Sequence, residues 1–278
     1  MPDADKFTLA DLRSARLSGQ KLAILTCYDY TTARLMQDAG LRALLVGDSA
    51  ANVILGHATT LPVSLPFMID LTAAVRRGAP NALLIADMPF GSYQRGVSSA
   101  VKNVCRMVQL SGCDCVKMEV TRRQSTLVRR LADAGVAVMA HLGLRPQSVG
   151  LLGGYRAQAR TADEARALVE EAITLQEAGA AALLLEAVPP AAARLVVDET
   201  SIPVIGCGAG PDCHGHVVVM HDVLGLSHHP PRFAPVLADL GGSMKACFAD
   251  YVKRIADGKY PSAQHGYEMS ASEADKLR

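Results

Sequence analysis

CDCVKMEVTRRQSTLVRRLADAGVAVMAHLG, residues 113–143, decides the fold. A short apolar run, Cys115–Met118, ends on Glu119, and a helical pattern follows over Gln124–Ala134. The tripeptide Asp133-Ala134-Gly135 then turns the chain into a second apolar run, Ala137–Ala140, which ends on His141. Short apolar runs bounded by turn signals read as buried parallel strands. A glycine just past a helix takes a left-handed conformation at little steric cost and lets the chain enter the next strand. The stretch is therefore a strand, a helix and a strand.

The same unit recurs on both sides of it. Asp38-Ala39-Gly40 precedes an apolar run, as do Ser111-Gly112 and Glu177-Ala178-Gly179. The pattern predicts eight strands: Leu22–Leu25, Ala43–Val46, Leu83–Ala86, Cys115–Met118, Ala137–Ala140, Leu183–Leu185, Val204–Gly206 and Val217–Met220. Helices are predicted between them at Thr31–Ala39, Phe67–Arg77, Ser98–Leu110, Gln124–Ala134, Ala162–Ala178 and Ala191–Glu199. Eight such units in one chain point to a (β/α)8 TIM barrel rather than an open doubly wound sheet, since no Gly-x-Gly-x-x-Gly follows the first strand. The last unit is the thinnest, because the residues after Gly206 leave little room for a helix. Beyond it, residues 226–278 read as an appendage on a single barrel domain spanning 1–278. Helical segments are expected there at Ala234–Leu240 and Met244–Asp257, with a polar tail past Tyr260.

Composition narrows the function. Half of the 278 residues are hydrophobic, and 28 Lys and Arg balance 27 Asp and Glu, so nothing advertises a nucleic acid or a membrane as partner. No apolar stretch is long enough to span a bilayer. The opening MPDADKFTLADLRSARLSG carries acids and no apolar core, which reads as no secretory leader and a cytoplasmic protein. Seven cysteines, an odd number, argue against a disulfide framework. Cys113 and Cys115 read as buried, reduced thiols rather than metal ligands.

Four acids stand at strand ends. Asp48 follows ALLVG, Asp87 follows ALLIA, Glu119 follows CVKM, and Glu186 closes ALLLE. In a barrel the carboxyl ends of all strands face one cavity. Three acids from neighbouring strands would repel one another unless a divalent cation joined them, so Asp48, Asp87 and Glu119 are candidate ligands for Mg²⁺ or a similar ion. Lys117 lies two residues before Glu119 on the same strand face and is expected to meet an acid or an anionic substrate. His141, at the end of the fifth strand, is a candidate for substrate or proton handling. Glu186, on the sixth, is placed to act as a general base. The glycine-rich IGCGAG, residues 205–210, is a weak candidate for an anion loop. The other histidines, including His57, His214, His216, His221, His228 and His229, read individually as structural or solvated.

A set of motifs then narrows the reading: TCYD at 26–29, VGDS at 46–49, GHATTLPV at 56–63 and ADMPFGSY at 86–93. They continue with VKME at 116–119, HLGLRPQS at 141–148, GGYRAQAR at 153–160, LEAVP at 185–189 and IGCGAG at 205–210. In this order they resemble ketopantoate hydroxymethyltransferases over most of the chain, about residues 22–225. The resemblance implies a barrel of the phosphoenolpyruvate mutase and isocitrate lyase group. It implies Mg²⁺ among Asp48, Asp87 and Glu119, with those two aspartates also at the substrate. It implies Ser49 and Lys117 on the substrate carboxylate, Glu186 as base, and His141 in the site. It further implies 3-methyl-2-oxobutanoate as acceptor, 5,10-methylenetetrahydrofolate as one-carbon donor, 2-dehydropantoate as product, a role in pantothenate biosynthesis, and a homo-oligomer, commonly a decamer.

The sequence departs from the family pattern in four places. Ala58 replaces an acid after Gly-His, Asp70-Leu71 a Tyr-His pair, Val120-Thr121 a Gly-Gly pair, and His214-Gly215-His216 an Asp-Gly-Gln. Several of these are expected at the site mouth or donor side, which leaves open another 2-oxo acid or free formaldehyde as donor. A related barrel lyase is disfavoured by the lack of a Lys-Lys-Cys-Gly-like run. A barrel kept only for binding is disfavoured because its buried acids would have no purpose.

Overall fold

The computed structural model describes residues 6–278. The first five residues of the stretch read as leaderless lie outside them. Eight parallel strands close in sequence order into a barrel: β1 (Leu22–Thr26), β2 (Ala43–Val46), β3 (Leu83–Asp87), β4 (Cys115–Glu119), β5 (Val138–Gly143), β6 (Ala182–Glu186), β7 (Val204–Cys207) and β8 (Gly215–Val218). The expected (β/α)8 barrel is the fold. No helix of the described residues is long and apolar enough to cross a membrane.

Alternation along each strand sorts the side chains into two cores. Outward positions such as Leu44, Leu84, Val116 and Leu183 pack under the surrounding helices. Inward positions such as Ile24, Leu45, Ile85, Cys115, Met139 and Leu184 fill the lower barrel. The helix Leu9–Ser18, which the sequence reading did not anticipate, plugs the amino-terminal end with Leu12. Thr8 and Asp11 form a capping box that starts this helix. The bottom of the barrel is therefore apolar and closed, and inward positions turn polar only toward the carboxyl ends.

Most predicted helices are present within a residue or two. The six lie at Tyr30–Asp38, Leu65–Gly78, Val97–Ser111, Ser125–Asp133, Ala162–Glu177 and Pro190–Glu199. No helix joins β7 to β8, as the thin last unit suggested. Two expectations are corrected. The eighth strand is Gly215–Val218 rather than Val217–Met220. Gly215 lies so close to β1 that an added Cβ would sit 2.6 Å from the Leu22 carbonyl, and the Met220 amide leaves the ladder to donate to Thr26 Oγ1 at 3.0 Å. Nor do residues 234–240 form a helix. Pro235 disfavours a helical conformation at Ala234, and the amides of Leu237 and Leu240 donate instead to the carbonyls of Val223 and Leu224. The helix that follows begins early, at Leu240, with Asp239 accepting from the Gly242 amide, and runs to Ala256. It buries none of its residues. Short helical turns at Ala263–His265 and Ala271–Leu277 occupy the exposed tail.

Candidate active site

Strand parity brings the polar residues together. Asp87 ends β3, Lys117 and Glu119 lie on one face of β4, His141 is on β5, and Glu186 ends β6. Asp87 is in register with Lys117, and Glu119 with His141. Asp48 enters from the turn after β2. A Cβ on Gly47 would lie 2.8 Å from the Ser49 hydroxyl and displace it. Asp48, Ser49, Asp87, Lys117 and Glu186 line one cavity of about 550 Å³ at the carboxyl end of the barrel.

Lys117 meets an acid, as expected: its Nζ donates to Asp87 Oδ2 at 2.5 Å, and both side chains are buried. The Asp48 amide donates to the same oxygen at 3.2 Å. Asp87 Oδ1 is buried and has no partner. Burial opposes the charge on Lys117, but Asp87, Asp48 and Glu119 outweigh it and push the ammonium upward. Burial pushes Asp87 upward too, against the opposing pull of Lys117. Glu119 is raised to about 8, first by burial and then by the charge of Asp48, while Lys117 opposes the rise.

His141 is fully buried between two carboxylates. Its Nε2 stands 3.2 Å from Glu186 Oε2 and its Nδ1 4.0 Å from Glu119 Oε1, neither in hydrogen-bonding geometry. Burial and the charge of Lys117 hold the imidazole well below its ordinary value, so it is neutral. Glu186 keeps 18% of its side chain exposed, and burial raises its carboxyl to about 7. Gly143 permits this placement, since a Cβ there would lie 2.4 Å from the Glu186 carbonyl. The next residue, Ala187, holds the left-handed φ of 48°, a strained conformation of the kind found beside catalytic groups. Ser49 shares a 2.8 Å hydrogen bond with Tyr28.

Two residues that sequence reasoning did not single out organise the acids. Gln147 donates from Nε2 to Asp48 Oδ2 at 2.9 Å, and from its amide to both Glu119 oxygens at 3.1 and 3.0 Å. Tyr93 donates to Gln147 Oε1 at 2.6 Å and accepts from the Glu119 amide at 3.2 Å. Both lie inside motifs quoted above, ADMPFGSY and HLGLRPQS, but nothing in residue type alone marks them. Asp222 and His229 line another part of the cavity wall. The glycines of IGCGAG make room for neighbours: a Cβ on Gly208 would strike Phe233, and one on Gly210 would strike Pro190.

The four departures scatter. Ala58 lines the cavity. Leu71 and Val120 pack into the outer core, and Asp70 is exposed on its helix. His214 accepts from the Val204 amide at the start of β7, and His216 pairs beside Ala23, near the opposite end of the barrel. The expectation that several would sit at the mouth is corrected. Val120 follows the inward Glu119 and so points outward by strand parity, and His214 precedes β8 rather than following it.

Asp48, Asp87 and Glu119 offer the oxygen donors that hard divalent cations take. The partnerless Asp87 Oδ1 and the raised carboxyls of Asp87 and Glu119 fit such an ion. Among the described residues, no three His, Cys, Asp or Glu side chains are grouped so as to hold a metal unaided. The fit is thus to a cation that keeps water or substrate oxygens in its shell.

A pH dependence of stability follows. Glu119 keeps its proton in the folded chain at pH values where the unfolded chain has lost it, between 4.5 and about 8. Its contribution is fully present below the lower value and is lost as pH rises through the upper one. Thermal melts of the metal-free protein are expected to show falling stability across that window. Glu119→Gln should flatten the slope, and an unchanged slope in the variant would remove Glu119 as its source.

A model of the family described as ketopantoate hydroxymethyltransferase matches residues 6–263. The 3-methyl-2-oxobutanoate hydroxymethyltransferase of Heliobacterium modesticaldum is 42% identical over 267 residues, which cover 96% of this chain and 97% of that protein. Among solved structures, 2,3-dimethylmalate lyase, a PEP mutase/isocitrate lyase superfamily member, aligns with a TM-score of 0.58 at 18% identity, covering 97% of each chain. Phosphonopyruvate hydrolase in complex with oxalate and Mg²⁺ aligns with a TM-score of 0.61 at 14% identity, covering 98% of this chain and 95% of that one. At those identities the structural likeness concerns the fold, whereas the sequence match extends along nearly the whole chain. The chain belongs to the ketopantoate hydroxymethyltransferase family.

Proposed function

We propose that this protein transfers a hydroxymethyl group from 5,10-methylenetetrahydrofolate to 3-methyl-2-oxobutanoate, giving 2-dehydropantoate for pantothenate biosynthesis, with Mg²⁺ held by Asp48, Asp87 and Glu119. The observation that carries this reading is the pairing of Glu186, whose carboxyl titrates at about 7, with a cavity that also holds Lys117 and Asp87. When bound, the cation would polarise the keto oxygen and lower the cost of removing the C3 proton.

The chain's own residues supply the rest. Lys117 has two N–H groups beyond the one given to Asp87, enough to meet the substrate carboxylate. The Ser49 hydroxyl, oriented by Tyr28, stands in the same cavity as a second anchor. Glu186 takes the C3 proton. A base with a pKa near the working pH is both ionised often enough and basic enough to do so. His141, held neutral, adds no charge beside Glu186. Burial and the Glu186 charge hold the Cys207 thiol well above its ordinary value, so it lines the cavity as a neutral group.

The exposed helix Leu240–Ala256 carries Met244, Phe248, Tyr251, Val252 and Ile255 at helical spacing. That apolar stripe supports a homo-oligomer, with the residues beyond 225 as its appendage.

The test is exchange of the C3 hydrogen of 3-methyl-2-oxobutanoate in D₂O with Mg²⁺ and no donor, followed by product formation with the folate donor and with formaldehyde separately. Exchange followed by folate-dependent synthesis is expected. Absence of both would reject the reading, and synthesis from formaldehyde alone would reject the donor. In Gln147→Ala, loss of the contacts to Asp48 and Glu119 is expected to weaken Mg²⁺ affinity and turnover about 10–100-fold, as for other groups that orient metal ligands. Calorimetric titration of Mg²⁺ beside steady-state kinetics checks this, and unchanged affinity would show that Gln147 only packs.

A further inference from the structure

On the far side of the loop after β5 lies a second cleft, of about 440 Å³, separate from the catalytic cavity. Its wall includes Arg122, Arg123 and Arg145. The loop is a partition: Leu144 and Pro146 face the catalytic cavity, Arg145 and Ser148 face the cleft, and buried Gln147 between them holds Asp48 and Glu119. Arg122 and Arg145 also line an adjoining hollow of about 300 Å³.

Arg145 is the informative residue. It is half-buried, its Nε is shielded from solvent without a hydrogen bond, and the guanidinium has no hydrogen-bond or ion-pair partner among the described residues. A shielded donor without a partner is costly. With Nε shielded, the two terminal nitrogens are the donors open to the cleft, and that edge of a guanidinium grips a carboxylate or phosphate with two parallel bonds. Arg122 and Arg123 are exposed at the same cleft, and the acid nearest the Arg122 guanidinium, Glu170, lies 3.8 Å away, too far for a hydrogen bond. Glu119 and Glu171 also line the cleft, but both are engaged, accepting from the amides of Gln147 and Arg122. We infer that this cleft is an anion-binding site in which Arg145 holds a carboxylate or phosphate group in a two-pronged contact, with Arg122 and Arg123 drawing it in.

The experiment is isothermal titration of the full-length protein with inorganic phosphate and, separately, with γ-glutamylglutamate. Both are run at constant ionic strength without Mg²⁺, and the cleft variants below tell binding in the cleft from binding in the catalytic cavity. Saturable binding to the wild type is expected. Arg145→Gln should weaken it at least 10-fold, and the exposed pair Arg122→Gln with Arg123→Gln several-fold. Arg13→Gln, a change at an exposed arginine on the helix Leu9–Ser18, should leave it intact. Arg145→Lys, which keeps the charge and loses the fork, should fall between wild type and Arg145→Gln. Tighter binding of the dipeptide would assign a carboxylate ligand, and tighter binding of phosphate a phosphorylated one; either supports the site. No binding of either probe to the wild type would overturn it. So would equal binding by wild type, Arg145→Gln and the Arg122, Arg123 double variant. The surface pair keeps the question decidable if Arg145→Gln does not fold.

Discussion

Glu186→Gln is expected to lower turnover by about 10²–10⁴-fold, the range supplied by a positioned general base. The substitution keeps shape and removes only the capacity to accept a proton. The one neighbour that could take over is His141, whose Nε2 stands 3.2 Å away. Burial and the charge of Lys117 make that imidazole a weak base, so it does not substitute. Three readouts should move together: turnover, C3 exchange in D₂O without donor, and the rise of the rate with pH through about 7. Mg²⁺ affinity should change little, because Glu186 is not among the proposed ligands. Near-normal exchange in the variant would take Glu186 out of the mechanism, and exchange surviving while synthesis is lost would move it to a later step.

What made this site legible was strand parity more than motif. An apolar run ending on an acid states both where a strand stops and that its last inward side chain is polar, and Asp87, Glu119 and Glu186 each end their strands as read. Lys117 followed from being two residues before Glu119. Gln147 and Tyr93 escaped because they reach the acids from loops, where no periodicity fixes the direction of a side chain. The helix Leu9–Ser18 escaped because only Leu12 and Ala15 of its ten residues are buried, too few to make an apolar stripe. The error at β8 had a different origin. The run Val217–Met220 is apolar throughout, but the strand is set by what pairs with β1, and that begins at a glycine. Residues 234–240 misled for a related reason: their apolar spacing suits a helix, while Pro235 and the carbonyls of Val223 and Leu224, which accept from the Leu237 and Leu240 amides, favour an extended path.

Lys117→Met should cost about 3–5 kcal/mol at neutral pH, the usual penalty for removing one partner of a buried ion pair, which lowers the melting temperature by roughly 10 °C. Met has similar length and fills the space, so the loss is electrostatic rather than a cavity. Asp87 then has the Asp48 amide on one oxygen and nothing on the other. Asp48 and Glu186 lose the lysine that lines their cavity, and Glu119 and Glu186 lose the positive charge that opposes the rise of their carboxyls. The sign with pH is fixed by the same groups. Below the unfolded carboxylate range the acids are protonated in both states, and the variant should melt close to the wild type. As pH rises the unfolded chain ionises freely while the folded chain cannot, so the gap between the two proteins widens toward pH 8. A divalent cation added to the variant should close part of that gap, since it supplies the positive charge that the lysine did. Melts at about pH 3 and at pH 8, with and without Mg²⁺, separate these contributions. Equal melting temperatures at pH 8 would mean that Lys117 does not neutralise the cluster. Its burial among acids would then have to be explained by substrate binding alone.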